Sequence, residues 1–86
     1  MRHFASERFW RLYNKFPHHI QQLADKSFDL LKENPRHPSL HFKKVGQLWS
    51  VRVGAHYRYR ALAIEEGDDF IWFWIGNHDE YNRLIS

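Results

Sequence analysis

Three arginines in the second half of the chain, Arg52, Arg58 and Arg60, have the residue type and spacing to bind phosphate. A guanidinium stays charged at any physiological pH and presents planar, multi-donor edges that match phosphate oxygens. If residues 48–53 and 57–64 are neighbouring antiparallel strands, alternation sets Arg52 on the face opposite Trp49, Val51 and Val53. The same rule separates Arg58 and Arg60 from Tyr57 and Tyr59, so Arg52 can lie near Arg58 or Arg60 on a common surface. Tyr or Trp rings beside them would let a single-stranded nucleic acid stack its bases. Arginine stems packed across an exposed sheet, a purely structural use, fit the spacing as well.

The charge distribution points the same way. Thirteen Lys and Arg stand against ten Asp and Glu. Six of the basic residues, Arg36, Lys43, Lys44, Arg52, Arg58 and Arg60, fall in residues 34–64, which hold no acidic residue. The rest of the chain is net acidic, so the positive field is concentrated in one part of the fold and calls for a polyanionic partner, or else serves as a solvated basic face. Cysteine is absent, which excludes a disulfide framework, a thiolate metal site and a thiol nucleophile, and fits a reducing cytoplasm. His37 and His41 are four apart, but Pro38 between them rules out the helical pairing a zinc site uses, and His18 and His19 fall in the first turn of a helix. No metal and no cofactor are expected. Arg2, Glu7 and Arg8 interrupt the N-terminus where a signal peptide needs an apolar run, and no 18-residue apolar stretch occurs. Neither export by that route nor a membrane span is expected.

Positioning these side chains falls to the surrounding elements. At 86 residues the chain allows one domain with one modest core. Ser6 can cap a helix whose Phe9, Leu12, Tyr13 and Phe16 form one stripe; Pro17 suits the first turn of a second, with Ile20, Leu23, Ala24, Ser27, Leu30 and Leu31 on one face. Asn34 and Pro35 stop it. After Pro38 the period changes to two. Residues 40–45, 48–53, 57–64 and 70–75 read as strands joined by turns at 46–47, 54–56 and 65–69. The last strand, FIWFWI, is apolar on both faces and belongs inside the sheet, with Trp72 and Trp74 on one face as core. Residues 79–85 can close with a short helix. The expectation is an α+β fold: an N-terminal helical hairpin on a three- or four-stranded antiparallel sheet, then a short C-terminal helix. Phe9, Leu12, Leu23, Leu30, Val51, Ile71, Phe73 and Ile75 should be largely buried.

The order of these pieces, and in particular WSVRVGAHYR at 49–58 and IGNHDEY at 75–81, resembles the RelE/ParE superfamily of toxins from type II toxin–antitoxin systems. The resemblance covers nearly the whole chain and implies a further, short strand from residues 1–5. It implies a toxin that inhibits translation as a ribosome-dependent, metal-independent messenger RNA endoribonuclease, in which a 2′-hydroxyl attacks the adjacent phosphate. Arg58 matches the arginine that contacts the scissile phosphate, and Arg52 an earlier basic residue of the site. His78 stands where relatives carry arginine or histidine, and Tyr81 near their C-terminal tyrosine. Imidazole and phenol can then handle protons. Leu48 and Ser50 occupy positions where some relatives have lysines, and Lys43, Lys44 and Arg60 would supply positive potential for RNA. The implied partners are a cognate acidic antitoxin, messenger RNA and the ribosome. The alternatives are a non-enzymatic ParE-like toxin that binds DNA gyrase, and a catalytically inactive relative.

Overall fold

The computed structural model describes residues 2–54 and 58–86. The expected turn through Ala55 and His56, and the strand start at Tyr57, lie outside the described residues. The elements run β1 (Arg2–Ala5), α1 (Glu7–Asn14), α2 (His18–Glu33), a 3₁₀ turn (Pro38–Leu40), β2 (Lys43–Val45), β3 (Leu48–Val53), β4 (Tyr59–Glu66), β5 (Asp69–Asn77) and α3 (His78–Ile85). The class is α+β, as expected. The sheet, however, has five strands in the order β1-β5-β4-β3-β2, and it is mixed where three or four antiparallel strands were expected.

The fifth strand is β1, which pairs parallel to β5 from Arg2↔Asp69 to Ala5↔Trp72. Four residues suffice because their side chains are tied down. Arg2 forms a two-pronged pair with Asp69 at 3.0 Å, and the His3 ring stacks on Phe70 and Trp72. The Trp72 indole donates to His3 Nδ1 at 3.0 Å. Ser6 then ends the strand and starts α1, its hydroxyl accepting from Phe9 N. Pro17 sits at the N-cap of α2, one position before the first turn, and its carbonyl accepts from Ile20 and Gln21. The two helices lock through the Phe9–Phe28 ring contact and the 2.7 Å bond from the Tyr13 hydroxyl to Asp25. Together they cover one face of the sheet, over Val51, Val53, Ala61, Ala63 and Trp72. The alanines on β4 leave room for that approach.

Two expectations about packing are corrected. Leu23 is 36% exposed, on the outer shoulder of α2, and Leu12, Leu30, Ile71 and Phe73 are only partly buried, whereas Phe9, Val51 and Ile75 are in the core. Trp72 and Trp74 are both core but not on one face. The β4–β5 register shifts between Leu62↔Trp74 and Ala63↔Trp72, so Phe73 is an extra residue. This bulge breaks the alternation, leaving Trp72 under the helices and turning Trp74 to the opposite face. There Trp74, Leu62 and Tyr81 of α3 form a second small cluster. Gly46, at φ 61°, makes the tight β2–β3 turn. β2 itself is shorter than expected, because Leu40 plugs into the core and His41 adopts a left-handed backbone before the strand begins.

Candidate functional site

The face of the sheet away from the helical hairpin carries the charge. Alternation along β3 puts Leu48, Ser50 and Arg52 on it, and the β3–β4 ladder sets Arg52 directly opposite Arg60 and Ser50 opposite Leu62. Lys43 pairs with Ser50 and so joins this face, whereas Lys44 pairs with Trp49 and belongs to the other. Of the two lysines expected to supply potential, the fold brings Lys43 to the arginines and leaves Lys44 out.

Arg60 is the anchored member of the group. It is 8% exposed, its Nη1 donates to the Tyr59 carbonyl at 3.1 Å, and its guanidinium carbon lies 5.6 Å from the centre of the Tyr81 ring. That ring, itself buried against Leu62 and Trp74, offers its face to the cation. Lost hydration and then the charge of Arg52 push Arg60 below its ordinary pKa, opposed by Tyr81. An arginine starts so high that it stays charged. Two arginines are thus paired across the ladder, near enough for the charge of one to act on the other, and one has its guanidinium set over an aromatic ring.

α3 supplies an imidazole, His78. Asn77 caps it, accepting from Glu80 N, and the His78 backbone N–H donates to the Arg58 carbonyl at 2.7 Å. This bond ties the start of α3 to the entry of β4. Arg58, Tyr59, Asn77, His78 and Asp79 line a shallow cleft of about 310 Å³. The His78 ring centre is 6.1 Å from that of Tyr81, and its Nδ1 is 3.2 Å from the Asn82 amide nitrogen. Asn82 thus steadies the imidazole from its Nδ1 side and leaves the Nε2 edge clear of that contact.

Arg52, Arg60, Tyr81 and His78 therefore form one continuous patch, with Lys43 along its β2 side and exposed Arg58 at its α3 side. Leu48 packs against the cluster of Leu62, Trp74 and Tyr81, and Ser50 is buried. These two positions serve packing beneath the charge. Two contributors are not singled out by sequence patterns: Asn82, which holds the imidazole, and Gly76, whose lack of a side chain seats the Trp74 ring. A Cβ on Gly76 would come within 2.3 Å of Trp74 Cζ2.

Residues 18–83 match the family model for the ParE-like toxin domain. No curated protein sequence matches the chain at a significant level. Among solved structures, the chain is similar to one from the RelB–RelE antitoxin–toxin complex of Methanococcus jannaschii, with TM-score 0.71 and 16% identity over 96% of this chain and 99% of that one. The isolated Escherichia coli RelE toxin gives 0.63 and 12% over 96% and 93%. A copper-bound point mutant of a Helicobacter pylori toxin gives 0.59 and 15% over 93% and 97%. At these identities the structures speak for the fold.

Proposed function

The chain belongs to the RelE/ParE toxin superfamily, and from that premise we propose that it is a ribosome-dependent endoribonuclease that cleaves messenger RNA in the cytoplasm. The observation that carries this reading is the pair Arg52 and Arg60, facing each other across β3 and β4 beside the Tyr81 and His78 rings. In the reaction the 2′-oxygen forms a bond to phosphorus while the bond to the 5′-oxygen breaks, leaving a cyclic phosphate and a 5′-hydroxyl. Negative charge grows on the phosphate oxygens, where Arg52, Arg60 and the exposed Arg58 stabilise it. The 2′-hydroxyl proton passes to water, and His78, as the imidazolium, gives a proton to the leaving 5′-oxygen. Buried Tyr81 acts on this reading by aiming Arg60, and Lys43 adds potential along the RNA path.

A second reading, binding to DNA gyrase without catalysis, is favoured by one observation: Leu48 and Ser50 pack where some relatives carry lysines. The two separate in one experiment. Growth arrest is paired with primer extension on translated message for wild type, Arg60→Ala and His78→Ala. Cleavage by wild type that both variants lose, with the fold intact by circular dichroism, supports the nuclease. Arrest with uncut messages rejects it, and inhibition of supercoiling then becomes the expected activity. For either target we propose an acidic antitoxin segment that covers part of the basic face, as the M. jannaschii relative is held in an antitoxin–toxin complex. Co-purification with the product of an adjacent gene tests it.

A further inference from the structure

An open cleft of about 640 Å³, lined by Arg36, Phe42, Trp49, Glu65, Asp68 and Phe70, lies on the helix side of the sheet, on the face opposite the arginine pair. Its size is that of a small-molecule site. α2 stops at Glu33, and Arg36 comes from the loop beyond it, while β3, β4, β5 and the β4–β5 turn supply Trp49, Glu65, Phe70 and Asp68. The floor is aromatic. Phe42 and Trp49 stack on each other with ring centres 4.9 Å apart, and Phe70 meets them at steep angles at 5.5 and 5.4 Å. Phe70 is buried, but Phe42 and Trp49 are only partly so and keep ring surface for the cleft.

A carboxylate is fixed against these rings. Glu65 pairs in register with Phe70, and its Oε1 accepts from the Trp49 indole at 3.0 Å. That bond takes one of its two oxygens and leaves Oε2 as an acceptor, to which the turn adds the exposed Asp68 carboxylate. Stacking surface alone accepts every base, so the acceptors decide which one fits. Guanine is the base whose Watson–Crick edge carries two adjacent donors, N1–H and N2–H₂, matched to carboxylate oxygens. Adenine and cytosine set one donor beside an acceptor, and uracil sets one donor between two carbonyls. Guanine also offers O6 and N7 as acceptors, the atoms an arginine takes. Aromatic rings with carboxylates suit a cation too, but Arg36 in the same cleft opposes one.

We infer that this cleft binds a guanine base, stacked on the Phe42–Trp49 pair, with N1–H and N2–H₂ given to the Glu65 and Asp68 carboxylates and with Arg36 donating to O6 and N7. The same chemistry serves a free guanine nucleoside and a guanine in single-stranded RNA. The site is separate from the arginine face and stands whether or not that face cleaves RNA.

The test follows the Trp49 indole N–H by NMR in the intact protein while guanosine, inosine, adenosine, cytidine and uridine are titrated, with Trp49→Phe to assign the signal. Nucleosides carry no phosphate for the arginine face to hold. Guanosine should shift the signal with an affinity about tenfold or more above adenosine, cytidine and uridine, and inosine, which lacks the 2-amino group, should fall between. Glu65→Gln keeps an oxygen for the indole but turns the other acceptor into a donor, so guanosine should weaken about tenfold with adenosine little changed. The trinucleotides UGU and UAU separate the two sources. UGU binding above both UAU and guanosine assigns the base to RNA, and UGU no tighter than guanosine assigns the free nucleoside. Equal shifts by all five nucleosides, no shift by any, or a Glu65→Gln variant that keeps the guanosine preference overturns the inference. So does an indole that responds to Nα-acetyl-arginine amide and not to guanosine, since the cleft would then take a cation.

Discussion

Replacing Gly76 by alanine tests whether the second cluster holds the arginines in place. A Cβ at this position would lie 2.3 Å from Trp74 Cζ2, 2.7 Å from Cη2 and 3.1 Å from Cε2, all within atomic contact distance. The indole cannot give way freely, because it is 5% exposed and packed with Leu62 and Tyr81. Overpacking of this kind costs about 1–3 kcal/mol. For a chain of this length that lowers Tm by roughly 5–20 °C. The damage should also travel. Trp74 supports Tyr81, and the Tyr81 ring carries the Arg60 guanidinium, so RNA binding should weaken even at temperatures where the variant is fully folded. Thermal unfolding followed by circular dichroism gives the first quantity, and RNA affinity well below Tm gives the second. Trp74→Phe removes the far edge of the indole that the new methyl would strike. Gly76→Ala should therefore cost at least about 1 kcal/mol less in that background, a coupling expected of residues in direct contact. A Tm within about 2 °C of wild type for Gly76→Ala alone, or identical costs in both backgrounds, would refute the reasoning that the glycine seats the ring.

Removing Arg52 or Arg60 by alanine should reduce the salt dependence of single-stranded RNA binding, by about 0.7 in the slope of log K against log salt per lost phosphate contact, while Lys44→Ala leaves it unchanged. Equal effects of all three variants would show that the charge acts without regard to face. His3 accepts the Trp72 indole proton and is partly desolvated, which, with the charges of Lys32 and the N-terminus, lowers its pKa in the folded chain. The unfolded chain then binds more protons, so His3 contributes stability that is present above about pH 6.5 and lost as pH falls through the lowered value. His3→Gln should narrow the Tm gap between pH 7.5 and pH 5, and an unchanged gap would mean that another group sets it. Ser6→Ala removes the hydroxyl that caps α1 and should cost about 1 kcal/mol, read as a fall in Tm; no change would mean that water replaces the cap without loss.

Much of the architecture could be read from local pattern. The stripe from Phe9 to Phe16, the cap at Ser6 and the stop at Asn34 and Pro35 are properties of short windows, and helices form where such windows say. Strand β3 occupies the expected residues 48–53, and its alternation alone puts Arg52 opposite Val51 and Val53. The concentration of positive charge in residues 34–64 is likewise a fact of sequence order, and it survives as a basic face because β2, β3 and β4 are neighbours.

Tertiary structure decided the rest, wherever the answer depended on a partner far away in the chain. Four residues at the N-terminus become a strand only because β5 presents a parallel edge with Asp69 and Trp72 to receive Arg2 and His3. Lys43 is chosen over Lys44 by pairing with Ser50. The bulge at Phe73 sends Trp74 away from Trp72, and this supplies the aromatic floor on which Tyr81 and Arg60 rest. Periodicity reports which residues share a face within one element, since that depends only on bonds along the chain. Which faces meet, and in what register, is set by contacts between residues tens of positions apart, whose energies no short window contains.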